Sequence, residues 1–209
     1  MSKPKNWPDA LPYLNAPLHS KELSPSQLQT VRTKPPPAIQ SIPASSTQTP
    51  STQVKIQAIQ DPEHPAHGQH GLFAMRDLKP GAFILPYLGR VHSGGRDGTD
   101  PHSDYDLWLD READVAVDAG RQGNEGRFVN DYRGVRGRPN AEFGTAWCER
   151  WGQLCVGFWV LGSPGKKGKV GGVKKGEEIL VSYGKGFWGQ RGVGGEEEEE
   201  EEEGGEGGI

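Results

Sequence analysis

Short hydrophobic runs recur between residues 54 and 190, each separated from the next by polar or turn-forming residues. Val54–Ile59 alternates between apolar and polar positions, which predicts a half-buried strand. The further runs that predict strands lie at 71–75, 82–91 with a break near Pro86, 105–109, 115–119, 155–161 and 179–181. The most suitable place for a helical turn is 121–130. Many short strands with few short helices predict a mostly β domain.

The two ends of the chain have a different composition. Residues 1–53 hold Pro35-Pro36-Pro37 among Ser, Thr and Gln, which predicts a disordered arm in which only Trp7–Leu14 has enough apolar surface to dock. Residues 191–209 are mostly Gly and Glu, and the eight consecutive glutamates at 196–203 predict a solvated, disordered tail. The sequence thus predicts one domain at 54–190 between two disordered tails, with a flexible Gly/Lys-rich insertion at 162–175.

Composition and charge exclude several classes of protein. Only 33% of the 209 residues are hydrophobic, and the formal net charge of −4 becomes +4 once the eight glutamates are set aside, which is too small an excess to indicate nucleic-acid binding. The two cysteines, Cys148 and Cys155, form no CxxC pair, which argues against a structural zinc and a secreted disulfide framework. No apolar leader or membrane-length run is present, so we expect an intracellular protein, nuclear or cytoplasmic.

Three histidines and a glutamate lie close together at 63–70, which raises the question of a metal site. The stretch contains Pro62 and Pro65 and is predicted to be a loop without regular spacing, so we predict no metal there. The chain also has none of the G-x-S-x-G, H-E-x-x-H, P-loop or G-x-G-x-x-G motifs.

Two segments carry the candidate chemistry. The first is Gly123–Asn130 (GNEGRFVN), followed by Pro139-Asn140, and the second is Gly176–Gly184 (GEEILVSYG). An asparagine side chain offers a donor and an acceptor from one planar group, which suits fixing irregular backbone. Together the segments resemble the two signature motifs of the SET-domain protein lysine methyltransferases.

Two further stretches extend the resemblance. Gly68–Ala74 is similar to the family element whose backbone contacts the amino-acid end of S-adenosyl-L-methionine, and Tyr87-Leu88-Gly89 is similar to the strand that follows it. The four elements occur in the family's order over about residues 54–188. The resemblance implies a SET-like fold of several small curled sheets, in which the two signature segments cross in a pseudoknot.

The resemblance also implies roles for individual residues. Tyr183 and Tyr87 are the implied catalytic residues, and Tyr87, Tyr105 and Phe187 would line the channel for the substrate lysine. The residues implied to bind the cofactor are His70, Gly71, Leu72, Arg127, Phe128, Asn130, Asp131, Tyr183 and Trp188. The implied reaction is transfer of a methyl group from S-adenosyl-L-methionine to a lysine of a protein substrate, a histone or another protein, with neither a metal nor a membrane involved.

Some residues depart from the family pattern and leave alternatives open. The family has Asn-His where this chain has Asn130-Asp131, and the zinc-binding cysteine clusters that flank many members are absent. Phe187-Trp188 would therefore have to close the lysine channel, or simply pack in the core. One alternative is a SET-fold module that binds a protein without methylating it. Another is a nucleic-acid protein that uses the arginines between Arg121 and Arg138, which the sequence favours least.

Overall fold

The computed structural model describes residues 3–36, 39–94, 103–162 and 172–184, and this part of the chain is mostly β. One helix is present there, α1 (Pro25–Arg32), together with 3-10 turns at Ala44–Ser46 and Glu125–Phe128. The strands are β1 (Leu18–His19), β2 (Ser41–Ile42), β3 (Val54–Ala58), β4 (His70–Ala74), β5 (Phe83–Tyr87), β6 (Arg90–Ser93), β7 (Asp106–Asp110), β8 (Val115–Asp118), β9 (Asn130–Asp131), β10 (Ala141–Cys148), β11 (Gln153–Val160) and β12 (Leu180–Val181). The predicted mostly β fold of several small sheets is confirmed.

One of the two four-stranded sheets has the order β2-β10-β11-β5 and is centred on the antiparallel hairpin of β10 and β11. Every residue of β11 is buried, which explains why its sequence is a continuous apolar run without alternation. The strand β10 was not predicted, because its residues, AEFGTAWC, mix small, polar and aromatic types. It pairs with β11 along its whole length, so its partner fixes it more than its own pattern does.

The predicted break near Pro86 is confirmed, because β5 ends at Tyr87, one residue after Pro86, and β6 begins at Arg90. Pro86 lies inside β5, which is an edge strand of its sheet, where a residue without an N–H group removes no ladder hydrogen bond. The chain turns at Leu88-Gly89 and continues as β6. A Cβ atom at Gly89 would collide with the carbonyl group of Asp118, so the close approach of β8 requires glycine there.

The other four-stranded sheet and two strand pairs make up the remaining β structure of the described residues. The sheet β1-β6-β8-β7 holds the predicted strands at 105–109 and 115–119, displaced by no more than one residue. The strands β3 and β4 form an antiparallel pair, and β9 and β12 form a two-residue parallel pair.

The N-terminal segment packs on the domain, in contrast to the disordered arm that its composition predicts. Trp7, Leu23, Val31 and Ile42 are all at most 6% exposed and belong to the hydrophobic core. Helix α1 has a complete capping box, in which the Ser24 side chain accepts from the Gln27 N–H and the Gln27 side chain accepts from the Ser24 N–H. A few widely spaced apolar residues are enough to anchor a segment that is otherwise rich in proline and serine.

Several sequence-based expectations lie outside the described residues. They concern the tail at 191–209, most of the insertion at 162–175, and the aromatic pair Phe187 and Trp188. Across the described ranges, no helix has both the length and the apolar character needed to cross a membrane. Within the same ranges, no group of three His, Cys, Asp or Glu side chains is placed to hold a metal ion.

Candidate functional site

The two signature segments lie side by side, although about 50 residues separate them in sequence. Leu180 pairs with Asn130 and Val181 with Asp131 in the parallel pair of β9 and β12. The Tyr132 N–H donates to the Val181 carbonyl at 2.9 Å, and the Asn140 N–H donates to the Leu180 carbonyl at 3.0 Å. These bonds satisfy the backbone where one segment passes the other.

Two buried asparagines fix this region through their side chains. Asn140 accepts from the Leu180 N–H at 2.8 Å and donates to the Glu178 carbonyl at 2.8 Å. Asn124, at 0% exposure, accepts from the Leu88 N–H at 3.0 Å and donates to the Pro86 carbonyl at 2.8 Å. Each amide uses both its donor and its acceptor on irregular backbone, as the sequence predicts for the asparagines of the first signature.

An open cleft of about 480 Å³ lies beside the paired segments. It is bordered by five separate parts of the chain, and its lining residues are Pro8, His64, Pro65, Ala66, Gln69, His70, Asp104, Tyr105, Arg127, Phe128, Asn130, Asp131, Arg133 and Tyr183. Seven of the predicted site residues therefore line one cleft: His70, Tyr105, Arg127, Phe128, Asn130, Asp131 and Tyr183.

Tyr183 is held at both its backbone and its phenol. Its N–H donates to Asp131 Oδ2 at 2.7 Å, and its hydroxyl donates to the Val129 carbonyl at 2.7 Å. Burial, together with the nearby charge of Asp131, raises the pKa of the Tyr183 phenol. The phenol therefore stays protonated at neutral pH.

Asp131, which departs from the family pattern, has well-defined partners. Besides the Tyr183 N–H, its carboxylate accepts from the Arg133 N–H at 2.8 Å and forms an ion pair with the Arg133 guanidinium at 3.0 Å. Its negative charge is thus compensated within the site, and the carboxylate positions the backbone of Tyr183.

Arg127 forms part of one wall of the cleft. Its guanidinium carbon lies 4.3 Å from the ring centroid of Tyr105 and 5.2 Å from that of Phe128, while its Nε donates to the Ala119 carbonyl at 3.1 Å. A guanidinium held between aromatic rings and a carbonyl is fixed in orientation. This wall presents flat aromatic surface with a positive charge beside it.

Three predicted site residues lie behind the cleft and do not line it. Tyr87 is 5% exposed and donates its hydroxyl to the Tyr105 carbonyl at 2.6 Å, and burial raises its pKa. Leu72 is at 0% exposure in the core, and a Cβ atom at Gly71 would collide with the Glu178 carboxylate. Tyr87 thus fixes the backbone of Tyr105 through this hydrogen bond, and Gly71 leaves room for the Glu178 side chain.

Sequence reasoning missed several residues of the cleft. Pro8 comes from the N-terminal segment that was predicted to be disordered, although Trp7–Leu14 was the one stretch predicted to dock. His64 comes from the loop that was considered only as a metal site, whereas Gln69 belongs to Gly68–Ala74, the stretch that resembles the cofactor-contacting element. The polar character of the loop before Gly68 gave no sign that it faces the two signature segments.

Comparisons with known proteins give matches among solved structures alone: no protein-family model matches the chain, and no curated protein does either. A crystal structure of the Chaetomium thermophilum polycomb repressive complex 2 matches with 22% identity and a TM-score of 0.47. The same complex in an autoinhibited conformation bound to S-adenosylmethionine matches with 23% identity and a TM-score of 0.47. Each match covers 64% of this chain and 15% of the other, so this chain spans a small part of the length of those it matches.

Proposed function

We propose that the chain is an S-adenosyl-L-methionine-dependent methyltransferase that transfers a methyl group to a lysine side chain of a protein substrate. The observation that carries the proposal is the position of Tyr183. Its phenol borders a cleft that the first signature segment forms together with the loop before β4. The resemblance drawn from the sequence implies that the two signature segments cross in a pseudoknot and that this tyrosine lies where cofactor and lysine meet.

The residues of the cleft fit this cofactor. The volume of about 480 Å³ lies in the range of sites for small molecules, roughly 300–1,000 Å³. Phe128 offers aromatic surface for a nucleobase, while Asn130 and the backbone around His70 offer polar groups for the rest of the molecule. S-adenosyl-L-methionine supplies an activated methyl group when bound.

Tyr183 acts in this proposal as an oxygen acceptor and not as a base. Its proton is donated to the Val129 carbonyl, and its raised pKa keeps the phenol neutral, so it cannot take a proton from the lysine at neutral pH. Its lone pairs can instead accept the polarised C–H groups of the methyl, each a weak contact. The contribution of the protein is mainly to hold the reacting atoms in line.

The lysine must arrive as a neutral amine. Deprotonation of a free lysine costs roughly 4–5 kcal/mol at pH 7, since its ordinary pKa is about 10.4. An aromatic passage beside Tyr105 and Tyr183 would lower this cost, because burial disfavours the charged ammonium. The positive charge of Arg127 beside the Tyr105 ring also disfavours the charged ammonium and so lowers the cost of deprotonating the lysine.

Methyl transfer from labelled S-adenosyl-L-methionine to histones and to whole-cell protein tests the proposal. We expect transfer by the wild type and at least a roughly tenfold loss in Tyr183→Phe, with Tyr132→Phe as a control outside the cleft lining. No transfer by the wild type, or unchanged transfer by Tyr183→Phe, would refute the methyltransferase. Cofactor binding measured by calorimetry without any transfer would favour the inactive binding module instead.

A further inference from the structure

Two side chains that line the cleft, His64 and Asn130, are joined by hydrogen bonds to a third, Glu178. His64 Nε2 lies 3.0 Å from Glu178 Oε2, and Asn130 Nδ2 lies 2.9 Å from Glu178 Oε1. The His64 and Glu178 side chains are only 7% and 8% exposed. These hydrogen bonds link the loop before β4 to both signature segments.

The partners of these groups define which atoms carry hydrogen. His64 Nδ1 accepts from the Ala66 N–H at 3.0 Å, so the ring proton must lie on Nε2 and be donated to Glu178. Asn130 Nδ2 faces two oxygens, Glu178 Oε1 and the His70 carbonyl at 3.4 Å, which fixes the orientation of its amide. The amide oxygen is then the atom of Asn130 left to accept, and the described residues supply no hydrogen-bond donor to it.

We propose that His64 is a positioning residue that acts through Glu178 to hold the Asn130 amide with its oxygen available to an N–H donor of the bound cofactor. This inference rests on the proposed function for the identity of the ligand. Two nitrogens of S-adenosyl-L-methionine could supply that donor, the ammonium of its amino-acid end and the exocyclic amine of its adenine.

The two hydrogen bonds of the His64 imidazole, to Glu178 and to the Ala66 N–H, can be removed separately. His64→Asn keeps an oxygen that accepts from the Ala66 N–H but is too short to reach Glu178. His64→Gln reaches Glu178 but lacks the acceptor next to the backbone. If His64 acts through Glu178, His64→Asn weakens cofactor binding about tenfold or more, while His64→Gln stays within about threefold of the wild type.

A third variant tests the orientation of the amide directly. In Glu178→Gln the side chain has one acceptor oxygen and one N–H₂ group, so it cannot accept from both His64 and Asn130. We expect a loss of affinity at least as large as in His64→Asn. Thermal melts of all three variants, compared with the wild type, separate a loss of binding from a loss of fold.

Calorimetry with S-adenosyl-L-methionine and with methylthioadenosine, which lacks the amino-acid end, provides the readout. A loss confined to S-adenosyl-L-methionine assigns the donor to the ammonium, and an equal loss for both ligands assigns it to the adenine. Equal losses in His64→Asn and His64→Gln, or no loss in either, would overturn the inference.

The histidine tautomer gives a test that does not depend on the ligand. Nitrogen-15 NMR of the wild type at pH 8 should show the His64 proton on Nε2, and a proton on Nδ1 would overturn the inference. If the wild type binds neither ligand, the proposed function fails and the tautomer alone decides whether His64 holds Glu178.

Discussion

The packing of Trp7 gives the sharpest test of how the N-terminal segment contributes to the domain. Trp7 is 6% exposed, and its indole N–H donates to the Leu11 carbonyl at 2.7 Å. Its ring meets those of Tyr13 and Phe128 edge-on, with centroids 5.0 and 5.7 Å apart. Phe128 in turn lines the cleft, so Trp7 connects the N-terminal segment to the candidate site.

The expected cost of Trp7→Ala follows from this burial. Truncating a buried tryptophan to alanine costs about 3–5 kcal/mol, and the exposed residues that follow Trp7 allow some relaxation, so we expect about 3 kcal/mol. In a domain of this size 1 kcal/mol corresponds to roughly 2–4 °C in Tm, so Tm should fall by roughly 6–12 °C. Affinity for S-adenosyl-L-methionine should fall as well, because Phe128 loses its support.

A matched control is Trp108→Ala, which removes a tryptophan that is 40% exposed. The guanidinium carbon of Arg111 lies 5.2 Å from the centroid of its ring. Its loss should be about 1 kcal/mol, as expected for a partly exposed cation–π pair. Thermal denaturation and urea titration of both variants measure the difference. A fall in Tm for Trp7→Ala no larger than that for Trp108→Ala would refute the packed N-terminal segment and favour the disordered arm.

Three further predictions concern the crossing and its surroundings. Gly71→Ala should lose about 1–3 kcal/mol of stability in thermal melts, because the added Cβ would collide with the Glu178 carboxylate. The control Gly144→Ala should change stability little, because no heavy atom lies near its added Cβ. Asn140→Ala should cost about 3 kcal/mol in urea titrations, since a backbone donor and a backbone acceptor lose their partner, and a cost below about 1 kcal/mol would contradict this. Burial tends to lower the pKa of His92, but the hydrogen bond and charge of Asp106 outweigh it and leave the pKa raised. His92 therefore stabilises the fold most below about pH 6.5 and less as the pH rises through its folded-state pKa. The loss of stability in His92→Gln should be larger at pH 5.5 than at pH 9. A loss of stability that does not change with pH would refute this prediction.

The sequence predicts the β domain well where local patterns determine the strands. The alternation at Val54–Ile59 and the apolar run at 155–161 both correspond to strands, since one buries a single face and the other is buried on both. The prediction fails for β10, which is stabilised by its partner strand. The break predicted near Pro86 is present one residue further on, because the edge position of β5 lets the proline belong to the strand.

For the candidate site, the motif residues were easier to predict than the residues that hold them. Seven predicted residues line one cleft, because the signature segments carry them at fixed spacing. Pro8 and His64 could not be found this way, since each reaches the cleft through contacts with residues far away in sequence. The capping box at Ser24 and Gln27 was a readable signal for helix α1 inside a segment whose overall composition predicted disorder.

The short parallel pair of β9 and β12 determines when the cleft can form during synthesis. Asn130 leaves the ribosome about 50 residues before Leu180, its partner in the pair. Until residues 180–183 emerge, a nascent chain has the wall formed by Arg127 and Phe128 but lacks the Tyr183 phenol. The Glu178 carboxylate emerges only shortly before it. Contacts this distant in sequence form slowly, so the candidate site should be among the last parts of the protein to mature, and a product that stops before Leu180 should bind no cofactor.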